Sequence, residues 1–194
     1  MDIADRVRSL VVRPKAEWQA IESETHTVQD LYTGYVMILA AIPAVCGFVG
    51  YSLVGVGVFG ATYRMPMAQG VAFLAMSYLF SLAWVYAFAM IIEALAPGFG
   101  ARKDFAQALK VAAHAPTAAW VGGVFSLIPS LSIIGTLVSL YSLYLLFLGL
   151  PIVMKAPEDK AVPYTVVVII VALVLAVLVA AMTSLAMPAQ IRGF

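Results

Sequence analysis

The sequence predicts an all-α fold: a bundle of five transmembrane helices behind a short amphipathic segment on the cytoplasmic side. Three observations predict it. Hydrophobic residues fill 63% of the 194 positions and charged residues only 11%, against roughly 45–50% and about 25% in soluble domains. The charges are bunched, since 31–63, 65–92, 111–154 and 161–191 contain no Asp, Glu, Lys or Arg, and a span needs about 20 apolar residues. In lipid each such run must satisfy its own backbone hydrogen bonds, which makes it a helix even where β-branched residues abound.

The same numbers exclude whole classes of function. A net charge of +1 leaves no basic surplus for nucleic acid. A soluble enzyme and a disordered tail are excluded by the apolar content. Cys46 is the single cysteine, so no internal disulfide or cysteine metal cluster is expected. The first thirty residues are polar and charged, unlike a cleaved signal peptide; the first apolar run is expected to act as the insertion signal.

Two parts follow along the chain, a cytoplasmic or interfacial segment at 1–30 and a membrane domain at 31–194. Ile3, Val7, Leu10 and Val11 share one helical face, and Pro14 suits the first position of a second short helix, with Trp18 and Ile21 on one side. A basic amphipathic segment with one tryptophan suits a headgroup region, which makes Trp18 the expected interfacial anchor. Packing on the cytoplasmic ends of the bundle is the alternative. The spans are expected at about 35–58, 70–96, 111–128, 131–154 and 164–187. Pro97-Gly98 stops the second, and Pro129-Ser130 splits an uncharged run too long for one crossing. Arg6, Arg8, Arg13, Lys15, Arg102, Lys103, Lys110, Lys155 and Lys160 then fall on one side, and only Arg64 and Arg192 on the other. The positive-inside rule puts the N-terminus in the cytoplasm and the C-terminus outside.

At Asp30-Leu31-Tyr32, before the first span, the chain resembles the Yip family (Ypt/Rab-interacting, YIPF-type) of multi-pass membrane proteins. That family continues the motif with Gly-Pro, whereas here Thr33-Gly34-Tyr35 follows. Pro14 with Trp18 and Glu22, Ala115-Pro116-Thr117, Tyr141 through Leu146 followed by Gly149-Leu150, and then Pro157, Lys160-Ala161 and Tyr164 look like its bacterial branch. His114 stands where bacterial relatives would carry tyrosine. The resemblance implies a protein of the bacterial inner membrane. Eukaryotic members resemble scaffolds that contact lipidated Rab GTPases and membrane partners, a cycle bacteria lack.

Candidate chemistry is sparse. Glu93 is the only acid inside an apolar run, and an ionisable residue within a span is a functional candidate by default; Lys110 or snorkelling supplies its structural explanation. His114 is expected near it across a short connection, and Asp30 and Tyr32 in the same cytoplasmic layer. The expectation is that Asp30, Tyr32, Glu93 and His114 meet and, with Leu31, Tyr141 and Tyr144, form a surface for lipid or a partner protein. No metal-ligand spacing is present, and no metal, cofactor or catalytic residue is assigned. Gly55-x-Gly57-x-x-Gly60 matches the start of a nucleotide fingerprint, but it follows a membrane helix, which is the wrong context. Ser132, Thr136 and Ser139 make a small hydroxylated stripe, and Ala172, Ala176, Ala180 and Ser184 repeat at four-residue spacing. Such stripes let helices approach closely, within the bundle or against a second copy. The expected function is that of a non-enzymatic membrane scaffold binding lipid or partner proteins. The alternative is a transporter, channel or lipid-moving protein, supported by helix breaks at Pro43 and Pro116 and by the serine stripe.

Overall fold

The computed structural model describes residues 2–58 and 61–186, the side chains of Val58, Ala61, Ala176 and 178–186 excepted. The fold is all-α apart from one small hairpin. Two short helices, α1 (Ile3–Val12) and α2 (Pro14–Ser23), fold back on each other as a strap. Asp2 caps α1 by accepting from the Ile3 N–H, and Pro14, which has no N–H to leave orphaned, begins α2.

Among the described residues, three helical runs are long and apolar enough to cross a membrane: Val28–Val54, Met67–Phe99 and Pro129–Met154. We call the first α3, the helix Met67–Leu95 within the second α4, and the third α7. Between α4 and α7 the chain forms α5 (Phe105–His114) and α6 (Thr117–Gly122). The break falls at Pro116, which has no N–H to offer the carbonyl one turn back. A tighter helical stretch, Gly123–Leu127, then leads to extended Ile128 and the turn at Pro129–Leu131. The last helix, α8, spans Glu158–Ala186.

The first long helix differs from the 35–58 expectation at both ends. It begins at Val28, where Thr27 and Asp30 form a reciprocal capping box, and ends at Val54. Gly55 sits at φ 91°, a conformation that costs an L residue dearly, and turns the chain into a hairpin. There Val56–Val58 pairs antiparallel with Ala61–Tyr63, Val56 opposite Tyr63. Hydropathy alone cannot separate Val-Gly-Val in a hairpin from Val-Gly-Val in a span. The glycines of the fingerprint-like Gly55-x-Gly57 therefore serve a turn and a strand.

Helix α5 is the axis of the fold. Every residue from Ala108 to Ala115 is buried, because α5 packs against α2, α3, α4 and α7 at once. Its alanines allow that crowding, while Leu109 and Val111 fill the remaining space. The core lies at this end, built from Leu10, Trp18, Ile21, Val36, Ile92, Leu145, Leu150 and Tyr164 around α5. Away from it the helices present apolar side chains outward, among them Met76, Leu79, Ile133, Leu137 and Leu173. Outward apolar faces suit a hydrocarbon solvent, in which they are not penalised.

Candidate functional site

The charged residues converge where the strap meets the bundle. Arg6, 8% exposed, reaches from α1 across to α2. Its Nη1 donates to Glu17 Oε1 at 2.7 Å, and its Nη2 to both carboxylate oxygens of Glu24 at 2.8 Å. His26 Nε2 lies 2.8 Å from Glu24 Oε2. Lys110, on α5, donates its ammonium to the carbonyl of Glu22 at 3.0 Å and to that of Glu24. A lysine at the end of α2 thus satisfies carbonyls that have no helical donor. Lys155 holds the strap from the other side: at φ 53° it stops α7, and its Nζ meets Glu22 Oε1 at 2.8 Å.

These contacts set the charge states. Burial works against the Arg6 charge, but Glu24 and Glu17 outweigh it and raise its pKa. Burial likewise favours neutral Glu24, yet the hydrogen bonds from Arg6 and His26 prevail and hold it below the ordinary value of 4.5. A depressed carboxylate stabilises docking above its unfolded value and loses that contribution as pH falls through the folded one. Proteolytic protection of the strap is therefore expected to stay flat from neutral pH down to 4.5, and to decline below it. A decline that began near neutrality would contradict the assignment to Glu24.

Beneath the ion pairs lies an aromatic layer. Trp18 is fully buried and lies against Gly149 of α7 so closely that any Cβ there would overlap the indole. Its ring meets protein on every side, so the headgroup contact expected of Trp18 gives way to packing on the bundle end. The strap folds back through Arg6, which turns the Trp18 face inward. His114 stands edge-on to Trp18 (centroids 6.2 Å apart) and 4.4 Å from the ring of Tyr35. His114 Nδ1 is 2.8 Å from the Lys110 carbonyl, and a carbonyl only accepts, so Nδ1 carries the hydrogen. The Tyr35 hydroxyl pairs with Thr117 Oγ1 at 2.7 Å, and Thr117 donates to the carbonyl of His114. That bond engages a carbonyl beside the Pro116 break.

Of the four residues expected to meet, two border a common cleft. Asp30, Leu31, Tyr35 and His114 line one cleft of about 360 Å³ together with Arg6 and His26. Within it the Asp30 carboxylate accepts from the Thr27 N–H and hydroxyl at 3.0 and 2.7 Å. Tyr32 turns away and donates its hydroxyl to the Leu82 carbonyl of α4 at 2.9 Å. Glu93 does not join the cluster: it is half-buried and, among the described residues, its side chain makes no hydrogen bond or ion pair. The reason is helical phase. Val85, Ala89 and Ile92 form the inner face of α4, and Glu93 follows Ile92 by about 100° of rotation. Lys110, its expected partner, is committed to the strap. Glu93→Gln is accordingly expected to shift thermal stability by no more than about 0.5 kcal/mol, read by melting in nanodiscs; a larger loss would reveal a partner.

Tyr141 donates to the Val11 carbonyl of the strap at 3.0 Å, while Tyr144 is exposed beside it, ring centroids 5.3 Å apart. The small-residue stripe does meet a neighbour: Gly122, Ser126, Ser132, Gly135, Thr136 and Ser139 line one cleft of about 220 Å³. Its hydroxyls are spent locally, Ser132 on the Pro129 carbonyl, Thr136 on that of Ser132 and Ser139 on that of Thr136. Ala172 is half-buried; the side chains of Ala176, Ala180 and Ser184 lie outside the described residues. Among the described residues no group of three His, Cys, Asp or Glu side chains is placed to hold a metal ion.

Sequence reasoning missed Arg6, Glu17 and Glu24. An available signal was Pro14 between two ten-residue helices, one carrying arginines and the next acids, a pattern that a helical hairpin would pair.

Comparison with known proteins agrees with this architecture. The chain is 28% identical over 163 residues to the inner membrane protein YohC of Escherichia coli K12, covering 82% of this chain and 84% of the relative. The YohC protein of Escherichia coli O6:H1 matches to the same extent. No solved structure matches. The Yip1 domain model matches residues 8–180, from the strap through most of α8, and the chain belongs to that family of membrane proteins.

Proposed function

We propose that the protein is a scaffold of the bacterial inner membrane that presents the docked strap at the cytoplasmic surface to partner proteins and lipid. Five helical crossings, with α5 and α6 making the third and α8 the fifth, put the strap, Lys103, Lys155 and Lys160 on the basic, cytoplasmic side. That its E. coli relatives are named inner membrane proteins supports the inner-membrane placement.

The observation that carries this reading is the strap itself. A buried arginine with two carboxylates, plus Lys110 gripping the end of α2, is far more than an amphipathic tail needs to rest on lipid. It makes a rigid platform whose outer face carries Arg8, Arg13 and Gln19, all exposed. No chemical step is assigned to it. The transporter alternative draws on the break at Pro116, but the hydroxyls of the small-residue cleft are already engaged by their own backbone.

The test is photo-crosslinking from Arg8, Arg13 and Gln19 in intact cells. The scaffold reading expects a discrete adduct that disappears when Arg6→Ala releases the strap. Solute flux through proteoliposomes with no such adduct would favour transport instead. Pairing of two copies through Ala172, Ala176, Ala180 and Ser184 belongs to the same proposal. Leucine at Ala176 and Ala180 is expected to move native mass toward monomer, and a wild type already monomeric in nanodiscs would remove it.

A further inference from the structure

We propose that the groove between the start of α2 and the α7–α8 corner is a binding site for a phospholipid with a phosphoethanolamine headgroup. The proposal rests on the lipid-binding part of the function above, and it concerns a surface distinct from the strap cleft. The groove encloses about 430 Å³ and is walled by Phe147, Pro151, Ile152 and Ala161, with Lys15 and Glu158 as its two charged residues.

Three features select the occupant. The walls are apolar and border the outward faces of α7 and α8, where Phe147 and Val162 are exposed, so acyl chain can enter from the surrounding hydrocarbon. The two charges are of opposite sign, and among the described residues neither forms an ion pair with the other or with anything else. Pro151 lies inside α7 and has no N–H for the carbonyl of Phe147, so the helix loses one internal donor beside the groove. A headgroup that complements this set carries an anion for Lys15 and, a few atoms away, a cation with N–H donors for Glu158. A phosphate joined to a primary ammonium does so. A phosphoglycerol headgroup offers Glu158 no cation, and a trimethylammonium offers no N–H.

Native mass spectrometry on delipidated protein tests this directly. Phosphatidylethanolamine, phosphatidylcholine and phosphatidylglycerol of identical acyl chains compete at equal concentration. The expected result is roughly tenfold preference for phosphatidylethanolamine, the size of one hydrogen bond to a charged group. Glu158→Gln should reduce that preference to the phosphatidylcholine level. Lys15→Gln should weaken all three lipids together, since each carries the phosphate, and Ala161→Phe should displace all three by filling the groove. Lys15 and Glu158 are exposed, so their variants are expected to melt like the wild type. Equal retention of the three lipids, tighter phosphatidylglycerol, or a preference untouched by Glu158→Gln would overturn the site. None of those outcomes would affect the crosslinking test of the strap, so the two readings fail separately.

Discussion

Replacing Arg6 with alanine is expected to release α1 and α2 from the bundle, at a cost of about 3–5 kcal/mol in docking free energy. The size follows from what remains. Glu17 is as buried as Arg6, their side chains 9% and 10% exposed, and without the guanidinium it is left uncompensated in a poorly solvated place. Glu24 loses its bidentate partner at the same time. Hydrogen exchange should rise sharply across Ile3–Ser23 while α4 and α7 keep their protection. Arg6→Lys should recover only part of the loss, because one ammonium cannot reproduce the contacts that two guanidinium nitrogens make to two carboxylates. Unchanged exchange in Arg6→Ala would mean that apolar packing alone holds the strap.

The apolar counterpart is Trp18. Trp18→Ala is expected to cost about 3–5 kcal/mol, since the ring is fully buried against Gly149 and His114. The complementary change enlarges the other side: Gly149→Leu drives a side chain into the space of the indole and should undock the strap without removing any strap residue. The pair separates packing from charge. If Gly149→Leu leaves Trp18 fluorescence and protection as in the wild type, the close approach of α2 to α7 is not what the structure describes.

These residues also show what a sequence can and cannot reveal. Uncharged runs and Pro-Gly punctuation make the long helices legible, and the turn at Pro129–Leu131 falls where proline interrupts such a run. That Asp30 and His114 border one cleft is legible from topology, because α3 and α5 enter the same layer. The exclusion of Glu93 is not, since it depends on the rotation of α4 about its own axis, and α4 is apolar on nearly every side. Arg6 was hidden for a different reason. On an amphipathic helix an arginine reads as a headgroup contact until the next helix folds back and turns Glu17 and Glu24 toward it. The hairpin at Val56–Tyr63 was hidden because its valines and glycines are as apolar as a span.

The central claim, a strap docked on the bundle end in the membrane, is tested most directly by cross-linking Glu22→Cys to Lys155→Cys in a Cys46→Ala background. The native side chains meet at 2.8 Å, but solvent screens so exposed a pair, so replacing it should leave docking through Arg6 and Trp18 intact. In native membrane vesicles, a short bismaleimide is expected to join the two cysteines within one chain, and adding Arg6→Ala should abolish the product. Absence of the cross-link with Arg6 in place, or its persistence without Arg6, would contradict the account.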